Sequence, residues 1–321
     1  MAVRGFAADI GGTNARVGAL TVEVGACTVD AFANLPSDGL TDGASLLDAM
    51  EAALRLPLKG DILAIALAGP VEGGRGRLTN GRLELEVASI NRPDIGRVLL
   101  LNDFTAQAHA CIHHAQDPSL RIPRKGVASC AILGAGTGLG MASMHRDEAG
   151  AWTVTASEAG HAYFPFLGDE EDGYRRFCSE RLRIPAPSAE DVLSGRGLVR
   201  LHMFLTGKER TPAEIGESSL GTESETLAWY ARFYGRICRV WMLTTLCRDG
   251  LWIAGGIARR NPLVVRCEHF LAELGRSGPW EEFVAGCPRH LVESDEAGLV
   301  GAFWAGVSSM SPSGPGPGHG A

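Results

Sequence analysis

No apolar run in this sequence is long enough to cross a bilayer. The longest, Ile62–Val71, is about half the ~20 residues that a spanning helix needs. Positive charge is also scarce: 30 Lys and Arg stand against 37 Asp and Glu, a formal charge of -7. A general nucleic-acid or acidic-membrane face needs clustered basic residues and is not expected. One anionic ligand held locally remains compatible with that balance. The start, MAVRGFAADIGG, has no apolar h-region and no small-residue cleavage signal, and does not read as a signal peptide. The eight cysteines lack paired spacing, which suits reduced thiols in a cytoplasm better than a disulfide framework. Two nucleotide fingerprints are missing as well. No Gly-Lys-Ser/Thr follows either glycine-rich loop, and the third Rossmann glycine is Leu139 or Met141 in the two possible frames.

The 321 residues exceed what one compact core usually holds, so two domains are expected. Short strands alternate with helices. Phe6–Ile10, Arg16–Val22, Ile62–Ala68 and Val98–Leu101 read as strands, and Ser45–Leu56 and a segment from Phe104 read as helices. This βαβ-like alternation argues for the α/β class. A second hairpin, Val127–Met144, overlays the first when Gly136-Thr137 is laid on Gly12-Thr13. The overlay is an internal repeat of apolar strand, glycine turn and apolar strand. It differs in one respect: Leu133 stands where the first copy has Asp9. Glu225–Leu246 reads as a long helix whose Trp229, Phe233, Ile237 and Trp241 serve the core. A strand enters a glycine turn at LWIAGGIARR, a last helix lies near Glu296–Ser308, and the tail SPSGPGPGHGA is expected to be disordered.

Glycine turns beside threonine can bind phosphate oxygens through successive main-chain N–H groups, or can be hairpin turns and nothing more. Two alike loops together with Asp9 favour phosphate, since a hard carboxylate near phosphates suits Mg²⁺ held through water. Asn102-Asp103 ends an apolar strand where a helix opens. Asp103 is there either an N-cap or a base that accepts a hydroxyl proton, with Asn102 orienting that hydroxyl. Glu158 and His161 flank a turn and could share a polyol's hydroxyls, form half a metal site, or be solvated. Ser188 and Asp191 read as a capping box, which leaves Glu190 unexplained. His109 and His113 stand at i, i+4 next to Cys111 and His114; a polar helix face explains them better than a metal site.

Six segments resemble, in order, those of bacterial ATP-dependent glucokinases outside the ROK group. They are Asp9–Asn14, Leu101–Phe104, Gly134–Gly140, Glu158-x-x-His161, Ala189–Gly195 and Ala254–Ile257. The resemblance runs from about Phe6 to Trp304. It implies a two-domain hexokinase/actin-like (ribonuclease-H-like) fold with an inter-domain cleft whose closure excludes water. The domains would be 1–110 with 297–310, and 111–296, followed by the tail 311–321. It further implies phosphorylation of glucose at its 6-hydroxyl by Mg-ATP in the cytoplasm, with a homodimer by family habit. Asp103 would be the base. Asn80, Asn102, Glu158, His161 and Glu190 would hold the sugar. Gly11, Gly12, Thr13 and Asn14, with Gly136, Thr137 and Gly138, would hold phosphates; Asp9 would lie near Mg²⁺, and Gly255 and Gly256 near adenosine. Leu83, Ala159 and Tyr163–Phe166 depart from the family pattern. A kinase of another hexose, a sugar-binding regulator and a paired-carboxylate hydrolase are the competing readings.

Overall fold

A computed structural model describes residues 2–113, 122 and 126–310. The expected disordered tail and His114 lie outside these residues. The contacts group the chain into two compact units, Met1–Ile122 with Ser294–Ala321, and Pro123–Glu293. The helices that carry the cores and the site are α1 (Gly43–Leu54), α2 (Asp103–His113), α3 (Gly168–Arg181), α4 (Ala189–Leu193), α5 (Gly195–Thr206), α6 (Glu225–Thr245), α7 (Gly256–Arg260) and α8 (Ala297–Ser309).

The first unit is built on β1 (Val3–Ile10), β2 (Asn14–Glu23), β3 (Ala26–Pro36), β4 (Gly60–Leu67) and β8 (Ile95–Asn102), ordered β3-β2-β1-β4-β8. A small sheet of β5 (Val71–Glu72), β6 (Arg75–Arg77) and β7 (Glu84–Glu86) sits beside it. The second unit holds β9 (Ala128–Ala135), β10 (Leu139–Arg146), β11 (Trp152–Ser157), β12 (Gly250–Ala254) and β13 (Arg289–Leu291), ordered β11-β10-β9-β12-β13. Both sheets pair in one pattern: two antiparallel strands follow the first strand, and two parallel ones lie on its other side. The repeat seen in the two hairpins therefore extends to whole sheets. The hairpin register explains how: Ile10 faces Ala15 across one turn, and Ala135 faces Leu139 across the other.

Fully parallel central strands are buried on both faces and read as continuous apolar runs. β4 does so, with Ile62–Leu67 all at 0% exposure. Leu46, Leu47, Met50 and Leu54 of α1 cover one face of the first sheet. On the other face lie Leu299, Phe303 and Trp304 of α8. In the second unit, Trp229, Phe233, Ile237 and Trp241 of α6 are buried in the core, as their spacing indicates.

Helix α8 packs on α2 at very close range. A Cβ at Gly301 would lie 2.8 Å from the Ala110 nitrogen and in hard overlap with the Ala106 carbonyl. Gly301→Val should push the two helices apart and destabilise the unit by about 1–3 kcal/mol, the usual overpacking cost. A lowered urea midpoint would register it, with Gly275→Ala, which meets nothing, as the control.

The same seam explains the histidines differently from the sequence reading. His109 and His113 do not form a solvated polar face. Their rings stack at 5.8 Å, and His113 stacks on Trp304 at 5.2 Å. Ser308 Oγ lies 3.2 Å from His113 Nε2. Burial, with the neighbouring His113 adding to it, lowers the pKa of His109 to about 3. Among the described residues no group of three or more His, Cys, Asp and Glu side chains could hold a metal ion.

Candidate active site

In the first unit β1, β4 and β8 run parallel, with Ile10 paired to Leu67 and Leu67 to Asn102. Their carboxyl ends therefore share one edge, where open α/β sheets bind ligands. Asp9 lies near the end of β1, and the hairpin register sets Arg16 of β2 directly opposite. Arg16 Nη1 is 3.6 Å from Asp9 Oδ2, and its Nη2 is 3.5 Å from Asp295. Burial raises the Asp9 pKa, opposed by the charge of Arg16 and a hydrogen bond from it. A Cβ on Gly298, in the first turn of α8, would overlap Oδ2 of Asp9, so glycine is what admits the carboxylate there.

The Gly11–Asn14 turn closes with the Gly11 amide donating to the Asn14 carbonyl at 2.9 Å. No hydrogen bond among the described residues engages the amides of Gly12 or Thr13. The loop after β4 joins the same edge. Thr79 donates its amide to the Ala68 carbonyl at 3.1 Å, which brings half-buried Asn80 alongside. Asn102 Nδ2 donates to the Gly69 carbonyl at 3.3 Å. Asn102 Oδ1 also accepts from the amides of Phe104 and Thr105, at 2.9 and 3.2 Å. Asn102 is thus the residue that caps α2, and Asp103, which the sequence allowed as that cap, is the first helical residue. Its Oδ1 lies 3.0 Å from the Phe104 amide.

The second unit repeats the edge with β9 and β12, where Gly134 pairs with Ala254. The Gly136 amide donates to the Gly138 carbonyl at 2.8 Å, and the amides of Thr137 and Gly138 have no partner among the described residues. Gly255 must be glycine: its φ is 86°, and a Cβ would overlap the Ala135 carbonyl oxygen. Gly256 opens α7 beside it. A cavity of about 670 Å³ next to this turn is lined by Leu198, Pro212, Leu220, Ile257, Asn261 and Leu263, among others.

Glu158 and His161 bracket a 3₁₀ turn, with His161 Nε2 3.6 Å from Glu158 Oε2; both side chains are more than half exposed. The turn rests on β10, since a Cβ at Gly160 would overlap the Leu139 carbonyl. A bridge between Tyr163 and Ser188, together with the Ala189 amide donating to the Ala162 carbonyl at 2.9 Å, ties this turn to α4. Ser188 and Asp191 form the capping box read from the sequence. Glu190 does something the sequence did not show: Oε2 accepts from the Leu139 amide at 3.0 Å and presses on Gly138.

The structure thus brings Asp9, Gly11–Asn14, Asn80, Asn102 and Asp103 to one sheet edge. It gathers Gly136–Gly138, Glu158, His161, Glu190, Gly255 and Gly256 at the other. Sequence reasoning missed Arg16, Asp295, Gly298 and the apolar cavity. Counting across the hairpin would have found Arg16; the others come from distant segments.

The glucokinase family model matches residues 6–308. The chain belongs to the glucokinase family. A glucokinase of Neisseria gonorrhoeae is 30% identical over 311 residues, 92% of each chain. A glucokinase of Balamuthia mandrillaris solved in complex with glucose matches with a TM-score of 0.76 and 20% identity, covering 95% of this chain and 94% of that one. A ROK-family glucokinase of Streptomyces griseus, in complex with glucose and AMPPNP, matches with a TM-score of 0.67 and 18% identity, covering 93% and 97%. The architecture is the hexokinase/actin-like α/β fold, and the chain is a sugar kinase. Two departures from the glucokinase pattern now have physical reasons. Leu83 is a core residue at 0% exposure, and Phe164 and Phe166 pack against Phe233. Tyr163, 78% exposed, is not part of that packing.

Proposed function

We propose that this sugar kinase transfers the γ-phosphoryl group of Mg-ATP to the 6-hydroxyl of glucose, with Asp103 as general base. The observation that carries the reading is Asn102-Asp103 at the carboxyl end of β8, on the same sheet edge as Asp9 and the Gly11–Asn14 turn. The Asn102 cap holds the start of α2, so Asp103 presents its carboxylate from a fixed backbone. There it orients the hydroxyl and collects its proton as the phosphoryl group arrives. Asn80, Asn102, Glu158, His161 and Glu190 bind the sugar. The two glycine turns bind phosphates through amides that nothing else in the described protein uses. Phosphoryl transfer is mostly positioning and charge stabilisation, which such preorganised donors supply. Gly255, Gly256 and the apolar cavity take the nucleoside.

Asp9 fits Mg²⁺. It is a hard oxygen donor in a pocket only glycine leaves open, and no three-residue metal cage accompanies it among the described residues. Magnesium typically uses one or two carboxylates plus substrate phosphates and water. When bound, the ion neutralises charge on the phosphates.

Coupled ADP release with Mg-ATP and a panel of glucose, mannose, fructose, glucosamine and N-acetylmannosamine tests the reading. Glucose should give the highest kcat/KM, and omission of Mg²⁺ should abolish turnover. Preference for another hexose would move the substrate; no turnover with any sugar, in a folded protein that binds glucose, would overturn the kinase assignment of this chain.

A further inference from the structure

Arg196 is the second residue of α5, and α5 is locked to the second glycine turn. Ser194 caps the helix through the Gly197 amide at 3.3 Å, and the Gly195 amide donates to the Gly136 carbonyl at 2.8 Å. From there Arg196 Nη2 lies 3.6 Å from Glu190 Oε1, while the other oxygen of Glu190 accepts from the Leu139 amide at 3.0 Å. One carboxylate therefore connects the guanidinium to the turn that the proposed function reads as a phosphate site. The side chain of Arg196 is 58% exposed and makes no hydrogen bond among the described residues. An exposed ion pair of this length contributes little to stability, so stability does not account for it.

The turn has a need that Arg196 meets. Its uncommitted amides can hold phosphate oxygens, but the Glu190 carboxylate beside Gly138 repels an incoming polyanion. No lysine stands in the turn to offset it. A guanidinium carries five donors in a fork that matches phosphate oxygens. We propose that Arg196 is the side-chain cation of the nucleotide site: it binds a phosphate oxygen of the nucleotide on the Gly136–Gly138 turn, and Glu190 holds it ready until the nucleotide arrives. The inference rests on the phosphate reading of that turn.

The test compares wild type, Arg196→Ala and Arg196→Lys. Calorimetry measures ATP, ADP and glucose affinities, and inhibition of turnover measures adenosine. Arg196→Ala should weaken ATP and ADP binding about tenfold, the loss of roughly one charge-assisted contact. Adenosine and glucose should change less than twofold, and Lys should recover part of the loss. Unchanged ATP and ADP affinities beside an active wild type would overturn the role of Arg196 alone. A parallel fall in adenosine or glucose affinity would show a merely structural residue and overturn it too. A wild type that binds no nucleotide and phosphorylates no sugar would overturn both this inference and the function beneath it.

Discussion

Asp103→Asn is expected to lower kcat about 10²–10⁴-fold, the range that general-base assistance contributes. The substitution keeps shape and polarity and removes only the capacity to accept a proton. It should cost little stability, because the cap of α2 belongs to Asn102, whose Oδ1 accepts from Phe104 and Thr105. Glucose affinity, read by intrinsic fluorescence, should stay within a few-fold of wild type. That split between kcat and binding is the signature of a group acting in the transition state. A fall in kcat below tenfold would remove Asp103 from the chemistry. Asn102→Ala is the contrasting variant: it loses the cap and should lower both stability and sugar affinity.

Arg236→Ala is expected to destabilise the second unit by about 3–5 kcal/mol, the usual result of stripping the partner from buried charges. Arg236 on α6 is 1% exposed and grips Glu171 with both terminal nitrogens, at 2.5 and 2.9 Å. Its Nε donates to Glu273 at 2.8 Å, and Nη1 donates to the Pro165 carbonyl at 2.9 Å. Without it, two carboxylates that are 4% and 2% exposed lose their main partner. Arg236→Met combined with Glu171→Gln and Glu273→Gln should recover part of the loss, since no buried carboxylate is then stranded. Equilibrium unfolding in urea measures both. The network also reaches the Glu158–His161 turn, because Pro165, whose carbonyl accepts from Arg236, lies four residues after His161. Glucose KM should therefore rise in Arg236→Ala.

The pH dependence follows from Glu273. Burial raises its pKa most, but the hydrogen bond and charge of Arg236, with Arg239 and Arg276, together outweigh it and leave the pKa below 4.5. A depressed carboxyl pKa contributes stability that is complete above the unfolded value and is lost as pH falls through the folded one. Wild type should therefore lose stability on acidification below about pH 4.5 more steeply than Arg236→Ala, and the gap between them should narrow. A gap constant from pH 7 to pH 3 would remove Glu273 from the account.

The local parts of this protein were legible from sequence, and the reasons are physical. A glycine turn between two apolar strands and a Ser-x-x-Asp cap are decided within a few residues, so Asp9, both turns and Ser188 stood out. β4 was legible because a doubly buried parallel strand carries no polar alternation. β3 and β11, the third strands of the two sheets, were not read: β3 is an edge strand that never falls below partial exposure and β11 does so too, so neither has an apolar run. α3 was missed because only Glu171, Tyr174 and Cys178 of its fourteen residues are buried, and one of those is an acid. That acid makes sense only beside Arg236, 65 positions away. Likewise Glu190 was unexplained until Leu139, 51 positions away, supplied its amide.

The two sheets carry one further consequence. At the position equivalent to Asp9 the second sheet has Leu133, and the residue facing it across the hairpin is Met141 where Asp9 faces Arg16. Leu133 is fully buried, so an aspartate there would be an anion without a counterion. Asp9 is tolerated at its position because Arg16 faces it 3.6 Å away, so an acid at position 133 would need a cation at position 141 as well. Two sheets of one pairing pattern thus carry an ion pair at one hairpin and the apolar pair Leu133–Met141 at the other, which confines carboxylate chemistry at this position to the first sheet.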